Sequence, residues 1–270
     1  MGFYFLILFI SLISFFPIHY TKNKRVKKLF FFIGPISILL FVSGLREKVG
    51  RDYSSYEFFF NNYNLLDGLE KGYYYLNRIV YELNLSFSVV IFMSSLLTIL
   101  LIFIIVSKFS KNWFLSFFLF FTNFQLFFQS FTAIRQYIAI AFFFYSIKYI
   151  IKRNLKKFLL CVFIGFLFHK SILFIIPFYF LLNINFKKWQ IVSLILVSFV
   201  LQKLDFIGYF IYQVNEYLPG RYGRYLTSSL NEKMNFGTGL SFFFDLFLFL
   251  TIVLLINNKD RRFFDKCCEI

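Results

Sequence analysis

Five short groups of polar residues hold the side chains able to do chemistry in this 270-residue chain. The first runs Gly44-Leu45-Arg46-Glu47-Lys48-Val49-Gly50-Arg51-Asp52-Tyr53-Ser54-Ser55-Tyr56. Gly50 permits a tight turn there, and Asp52 is placed to cap a helix. Tyr53, Tyr56, Phe60 and Tyr63 follow at spacings of three and four, one stripe of that helix. The second group passes from Leu69 through Glu70, Lys71, Gly72 and Tyr73 to Asn77 and Arg78, and taken alone it is chemically ordinary. The third is Ser130-Phe131-Thr132-Ala133-Ile134-Arg135-Gln136-Tyr137. Ser130 or Thr132 can cap the helix that opens there, and Arg135 adds a planar cation about one turn inside. A helix start joined to an Arg suits an anion such as phosphate, although a rim Arg that only reaches to lipid headgroups has the same sequence signature. The fourth group is Gly165-Phe166-Leu167-Phe168-His169-Lys170-Ser171-Ile172. Its imidazole can donate to an anion or take a proton, or it can be a hydrogen-bonded structural His. The fifth, Glu216 through Tyr225, is a basic and aromatic run in which Arg221 and Arg224 could meet phosphate and the Tyr faces could stack on sugars. A solvated turn would read the same way.

Other chemistries are excluded by what these groups lack. The sequence has no metal-ligand box, Walker loop, dinucleotide fingerprint or nucleophile elbow. It carries two His, one of them (His19) near a span boundary, which is too few for a multi-His metal centre. There is no Asp-x-Asp pair of the kind many nucleotide-sugar glycosyltransferases use to hold a metal. No metal and no cofactor is called for.

The elements that must position the five groups are membrane helices. Hydrophobic residues make up 59% of the chain, aromatics 25%, and Phe alone occurs 47 times, more apolar surface than a soluble fold can hide. Apolar runs lie at about 2–18, 29–45, 86–106, 113–128, 132–151, 158–168, 171–183, 189–202 and 241–257. Several approach the roughly 20 residues that cross a bilayer as a helix. The first run has no preceding basic residues and no small-residue cleavage site, so it reads as a retained span. The fold class expected is an all-α polytopic membrane protein of about nine transmembrane or half-spanning helices. It forms one integral membrane domain over 1–270, with outer loops at about 46–85 and 203–240. A second interfacial helix is expected at 205–218, and Pro35 is expected to kink the second span.

Charge sets the orientation. Basic clusters fall between alternate runs, at 22–28, 108–111, 148–157, 187–188 and 259–266. Placing all five in the cytoplasm puts the N-terminus outside and the C-terminus inside. The inner segments then carry 18 Lys/Arg against 3 Asp/Glu, and the outer ones 11 against 10. The net charge of +16 therefore serves topology and anionic lipid, and nucleic acid is not an expected partner. Runs 158–168 and 171–183 are each too short for an upright span. They are read as two segments entering and leaving at His169-Lys170, which requires protein or a water-filled cavity around the break. All five polar groups then gather at the outer rim.

Taken in order, four of them resemble the EpsG family of polysaccharide-repeat polymerases, related to the Wzy polymerases. The matching pieces are Gly50-Arg51-Asp52-Tyr53 with Tyr56, then Glu70-x-Gly72-Tyr73, then Arg135-Gln136 with Ala139, then Phe168-His169-Lys170-Ser171 with Pro177. They span about residues 40–225. Members of the family usually continue with more spans, which is consistent with a chain shortened at its C-terminal side. The resemblance implies a metal-independent glycosyltransferase acting on oligosaccharide units carried by undecaprenyl diphosphate, at the outer face of a bacterial cytoplasmic membrane. Its product would be capsule, O-antigen or exopolysaccharide, and its partners would be the lipid-linked oligosaccharide, membrane lipid, a flippase and a chain-length regulator. His169 or Asp52 would take the acceptor proton. Substrate contacts would come from Arg135, Gln136, Arg51, Tyr53, Tyr56, Glu70, Tyr73, Lys170, Ser171, Arg221 and Arg224. Other classes stay open: a ligase or acyltransferase, a flippase (against which the scarcity of mid-span charges counts), and an inactive membrane fragment.

Overall fold

The fold is seen in a computed structural model that describes residues 2–62, 70–123, 126–181 and 186–203. Within these the secondary structure is helical, with no strand. Three helical stretches are long and apolar enough to cross a membrane: Lys24–Gly44, Phe87–Phe109 and Ile134–Ile151. At 1.5 Å per residue the 23 residues of the second reach about 34 Å, enough for a hydrocarbon layer of about 30 Å. With the shorter apolar helices they make an all-α polytopic membrane protein. Backbone contacts group the chain into two compact units, Met1–Asn183 and Ile184–Ile270. Of the second, the helix α12 (Lys188–Lys203) is described. The expected interfacial helix at 205–218 and the last run at 241–257 lie outside the described residues.

In the first unit the opening run divides into α1 (Gly2–Ile13) and α2 (Phe16–Tyr20), with Pro17 in the first turn of α2, where its missing N–H does no harm. The second span is α3 (Lys24–Phe31) and α4 (Ser37–Gly44), joined through a π-helical turn at Phe32–Ile36. The expected irregularity at Pro35 is this turn, since proline cannot supply the N–H that α geometry requires. Next come α5 (Tyr53–Asn61), α6 (Lys71–Glu82) and the long α7 (Phe87–Phe109). The run at 113–128 is helical only as α8 (Trp113–Thr122), and a 3-10 turn at Phe128–Phe131 leads into α9 (Ile134–Ile151). The helix α10 (Leu155–Phe166) is followed by a 3-10 turn at Lys170–Ile175 and by α11 (Ile176–Leu181).

Packing gives the directions. Ile134 and Ile138 of α9 share a buried cluster with Val90 and Ile91 of α7, while Ala141 joins Ile99, Ile102 and Phe103 further along. These two helices therefore run parallel, and α8 is the return between them. The chain reverses after α10: Phe158 near its start lies against Tyr179 of α11, ring centres 5.1 Å apart. Two segments entering and leaving at His169, and not one continuous helix, is the arrangement observed. Much of the core is phenylalanine, with Phe15, Phe31, Phe103, Phe117, Phe120, Phe121, Phe127 and Phe131 in one cluster. Lipid tails are as apolar as these rings, so burial alone gives little drive. Close contact between rings, mostly tilted or edge-on as in Phe103 on Phe120 at 5.1 Å, holds such helices together.

The bundle has two chemically different ends. Arg46, just past α4, hydrogen-bonds Ser95 of α7 at 3.1 Å and stacks on Phe131 just before α9. The start of α7, the start of α9 and the end of α4 therefore share one end. At the other, Lys24, Lys27, Lys108 and Lys111 surround one groove, and Lys148 through Lys157 follow from the far end of α9. If this polarity is the membrane orientation, a single cysteine replacing Asp52 or Lys170 in a cysteine-free chain should react with an impermeant thiol reagent on intact cells or spheroplasts. Cysteines replacing Lys24 or Lys156 should react only after the membrane is opened. Reaction at Lys24 ahead of Asp52 would invert the assignment.

Candidate active site

The site forms where three chain segments meet. Gly50, in a left-handed conformation at φ 111°, lies so close to the Phe131 carbonyl that a side chain there would collide with it. Beside it the backbone N–H of Arg51 donates to Thr132 Oγ1 at 3.2 Å. This clasp ties the loop before α5 to the start of α9. A second clasp is the Gly72 N–H, which donates to the Leu167 carbonyl at 2.7 Å. A Cβ on Gly72 would stand 2.8 Å from that oxygen, so only glycine lets α6 begin here against the turn after α10. These backbone contacts bring together Glu70, Arg135 and His169, residues otherwise far apart in sequence.

Glu70 is the centre of the cluster. Its Oε2 accepts from Arg135 Nη1, and its Oε1 lies 3.2 Å from His169 Nδ1. The carboxylate is 11% exposed, against 25% for Arg135 and 30% for His169. Burial by itself would raise the pKa of Glu70. The contact to His169, its own backbone N–H and the Arg135 charge act the other way and prevail, lowering it to about 2. The imidazole turns Nδ1 inward, and that atom is buried. The exposed part of the ring is the remaining edge, which carries Nε2. The approach of Nδ1 to the carboxylate is an ion-pair contact that falls short of a well-directed hydrogen bond. Facing a carboxylate, Nδ1 keeps the proton in the neutral ring, and the lone pair lies on Nε2.

Aromatic residues wall the cluster. The Arg135 guanidinium lies over the Tyr56 ring at 5.6 Å, and Tyr56 meets Tyr73 edge-on, also at 5.6 Å. Tyr53, Tyr56 and Phe60 of the stripe are all buried, so α5 turns that face into the protein, against Tyr73, Val80 and Phe87. Tyr63 lies outside the described residues. An aromatic belt facing lipid is not what these tyrosines form. Burial pushes the phenols of Tyr53 and Tyr73 up, so they serve as neutral walls.

The sequence-derived site residues thus divide. Glu70, Arg135 and His169 are in mutual contact, with Tyr56 and Tyr73 beside them. Ser171 is half-buried on the 3-10 turn that follows His169. Asp52, Gln136, Lys170 and the Arg51 side chain are exposed and make no ion pair with the cluster among the described residues. Arg221 and Arg224 lie outside the described residues. Two local readings need correction. Asp52 stands at the N-cap position of α5, but its side chain makes no capping bond; the Tyr53 N–H instead donates to the Gly50 carbonyl at 3.1 Å. The N-cap of α9 is Ala133, not Ser130 or Thr132. The Ser130 hydroxyl turns back to the Phe127 carbonyl, and that of Thr132 is taken up by Arg51.

Arg46, in the first polar group but with no role expected of it, is 7% exposed and bonds the Ser43 carbonyl and the Ser95 hydroxyl with its guanidinium on the Phe131 ring. Burial lowers its pKa to about 10, so it stays a cation at neutral pH. The signal available for it was the Ser94, Ser95 and Thr98 strip, three hydroxyls on one side of an otherwise apolar span.

The EpsG family profile matches residues 29–268. This chain belongs to the EpsG family. Membership supports, in general terms, a Wzy-like polysaccharide polymerase working in the membrane. No curated protein and no solved structure matches the chain. The match encloses all three residues of the cluster, and this EpsG-family chain supplies them from the N-cap of α6, the first turn of α9 and the N-cap of the 3-10 turn after α10.

The lowered pKa has a direction that can be checked. A carboxylate held at about 2 instead of 4.5 contributes stability that is complete above about 4.5 and is lost as the pH falls through about 2. Glu70→Gln should therefore lower the thermal midpoint by several degrees at pH 7, at about 2–4 °C per kcal/mol. The gap between variant and parent should close between pH 4.5 and pH 2, followed by thermal unfolding of the purified protein. A gap independent of pH would mean that the Glu70 charge does not hold the cluster.

Proposed function

We propose that this protein joins oligosaccharide repeat units carried on undecaprenyl diphosphate into a long polysaccharide, at the outer face of a bacterial cytoplasmic membrane. The observation that carries this reading is Glu70 held between Arg135 and His169, in a protein of the EpsG family. In the reaction, a hydroxyl on the incoming unit attacks the anomeric carbon of the growing glycan. The bond from that carbon to the diphosphate oxygen breaks, and the lipid diphosphate leaves with the electron pair. The hydroxyl proton must go to a base. His169 presents Nε2 for it, and the Glu70 carboxylate behind Nδ1 stabilises the imidazolium that forms.

Charge balance supports the same assignment. With His169 neutral, Arg135 and Glu70 cancel; once His169 takes the proton, the cluster carries one net positive charge. That charge appears in the same step in which the departing diphosphate gains its negative charge, so stabilisation is strongest in the transition state. Glu70, first read as a substrate contact, is better assigned to positioning His169 and Arg135. Tyr56 and Tyr73 limit where the guanidinium can turn, and Arg221 and Arg224 are proposed as further diphosphate contacts. The leaving group is already activated, so the proposed donor chemistry needs neither a nucleotide sugar nor a metal. A flippase would deliver the units, and a chain-length regulator would set when synthesis stops. The product would be capsule, O-antigen or exopolysaccharide.

The test is polymer length on a gel, from cells in which the chromosomal copy is replaced by variants. His169→Ala should leave single repeat units, a loss of about 10²–10⁴-fold in rate for removing a general base. His169→Gln should be equally inactive, because an amide cannot cycle a proton. Activity in Gln but not in Ala would move the ring from proton transfer to diphosphate binding. Asp52→Asn, a change at an exposed carboxylate, should leave chain length near normal; if it alone abolishes polymer, Asp52 is the base and His169 is not. Separately, Arg135→Ala should abolish polymer and Arg135→Lys should recover little, because a point charge cannot replace a planar fork. Full activity in both Arg135 variants would remove Arg135 from the site.

A further inference from the structure

The end of the bundle opposite the candidate active site holds an open groove of about 880 Å³. It is built from four places in the chain: the end of α1 with α2, the start of α3, the end of α7 and the start of α8. Its floor and wall are apolar, with Ile13, Phe16 and Phe114 among the lining, all exposed to it or to the surroundings. The rim carries Lys24, Lys27, Lys108 and Lys111, and no Asp or Glu lines it. We propose that this groove binds one anionic phospholipid, with the phosphate among the lysines and an acyl chain along the phenylalanine wall.

Two features favour a lipid anion over other occupants. The helix starts at this groove are already satisfied: Asn23 accepts from the Arg25 N–H at 2.9 Å, and Asn112 from the Leu115 N–H at 3.1 Å. Free backbone amides are therefore not what an anion would meet there. The lysine ammonium groups are, and these point charges on flexible stems suit the tetrahedral phosphate of a headgroup that can turn. With Lys24, Lys27 and Lys108 at the rim and no Asp or Glu in the lining, an anion entering the groove meets cations and no carboxylate. The apolar wall continues directly from the cationic rim, which matches a molecule with a charged head and a hydrocarbon tail and does not match a free phosphate. Trp113, half-buried in the same lining, stands where an amphipathic ring would mark the interface. Basic pockets between spans on the positively charged side are a recognised mode of headgroup capture. The site is independent of the polymerase reading, because none of its residues touches Glu70, Arg135 or His169.

Trp113 also makes the site measurable. The chain has two Trp, so in a Trp189→Phe background Trp113 reports alone. The full-length protein is placed in phosphatidylcholine nanodiscs doped with increasing fractions of dibrominated phosphatidylglycerol or of dibrominated phosphatidylcholine, whose bromines quench indole on contact. Half-quenching should need about tenfold less phosphatidylglycerol than phosphatidylcholine, in line with a few surface lysines acting together. The double change Lys24→Gln, Lys108→Gln should bring the two curves together while leaving the phosphatidylcholine curve where it was, which shows that the fold around Trp113 is intact. Lys152→Gln with Lys156→Gln, at the same end but outside the groove, should keep the preference. Equal curves in the parent would overturn the proposal. So would loss of preference in the Lys152, Lys156 control, which would mean a diffuse field and no site. Release of quenching by millimolar inorganic phosphate would also overturn it, assigning the lysines to a free anion.

Discussion

One carboxylate, that of Glu70, holds the candidate site of this protein together. It faces Arg135 from α9 and His169 from the turn after α10, and it sits at the entrance to α6. An arginine and a histidine placed side by side in a half-buried setting would repel as soon as the ring gained a proton. The carboxylate between them makes the arrangement stable in both protonation states of the ring. Its pKa, lowered to about 2, means that it keeps its charge at neutral and mildly acidic pH. Breaking such a pair by removing one partner strands the others, which is why the cluster acts as a unit.

The carboxylate could not do this without the backbone contacts around it. Two glycines, Gly50 and Gly72, allow chain segments to approach to distances that a Cβ would forbid. Each is accompanied by a hydrogen bond across the contact, Arg51 to Thr132 and Gly72 to Leu167. The tyrosine stripe of α5 turned inward belongs to the same construction. Tyr53 and Phe60 pack on Phe87 of the long α7, and Tyr56 carries the arginine. A short helix with no span of its own is thereby fixed to a helix that crosses the membrane. The irregular backbone near His169 is anchored on one side, by the Gly72 N–H to the Leu167 carbonyl and by Ile172 packed on Ala139 of α9.

The two ends of the bundle divide the electrostatics. Among the described residues, the groove of Lys24 and Lys108 at one end is lined by lysines and by no Asp or Glu. At the other, Arg135 is paired with Glu70, and Arg46 is shielded by hydroxyls and a phenylalanine face. The first arrangement suits a charged lipid surface, where each lysine adds to a common attraction. The second suits chemistry, because a site whose charges cancel at rest can create a charge during reaction. The two arrangements are separated by the length of α7.

Sequence alone was enough for much of this. Apolar runs of span length made the chain an all-α membrane protein, because a continuous apolar run of about 20 residues satisfies its own backbone in lipid as a helix, whereas a barrel strand needs only about half that length. The alternation of basic clusters placed Lys24, Lys108 and Lys156 at one end, since charge asymmetry is a property of composition along the chain and needs no contacts. The break at His169 was legible from two apolar runs each too short to cross, and the family from four motifs in order. What could not be read was which residues meet. Glu70 sat in an ordinary amphipathic segment, 65 residues from Arg135, and nothing local marks a carboxylate as the partner of a distant cation. Asp52, with stronger local signals for a cap and for a base, stayed at the surface. Arg46 was passed over because its hydroxyl partners lie on another helix. Helix formation and membrane insertion depend on neighbours in sequence, whereas pairing, burial and the pKa of a carboxylate depend on neighbours in space, and only the packing of α6, α9 and the turn after α10 decides those.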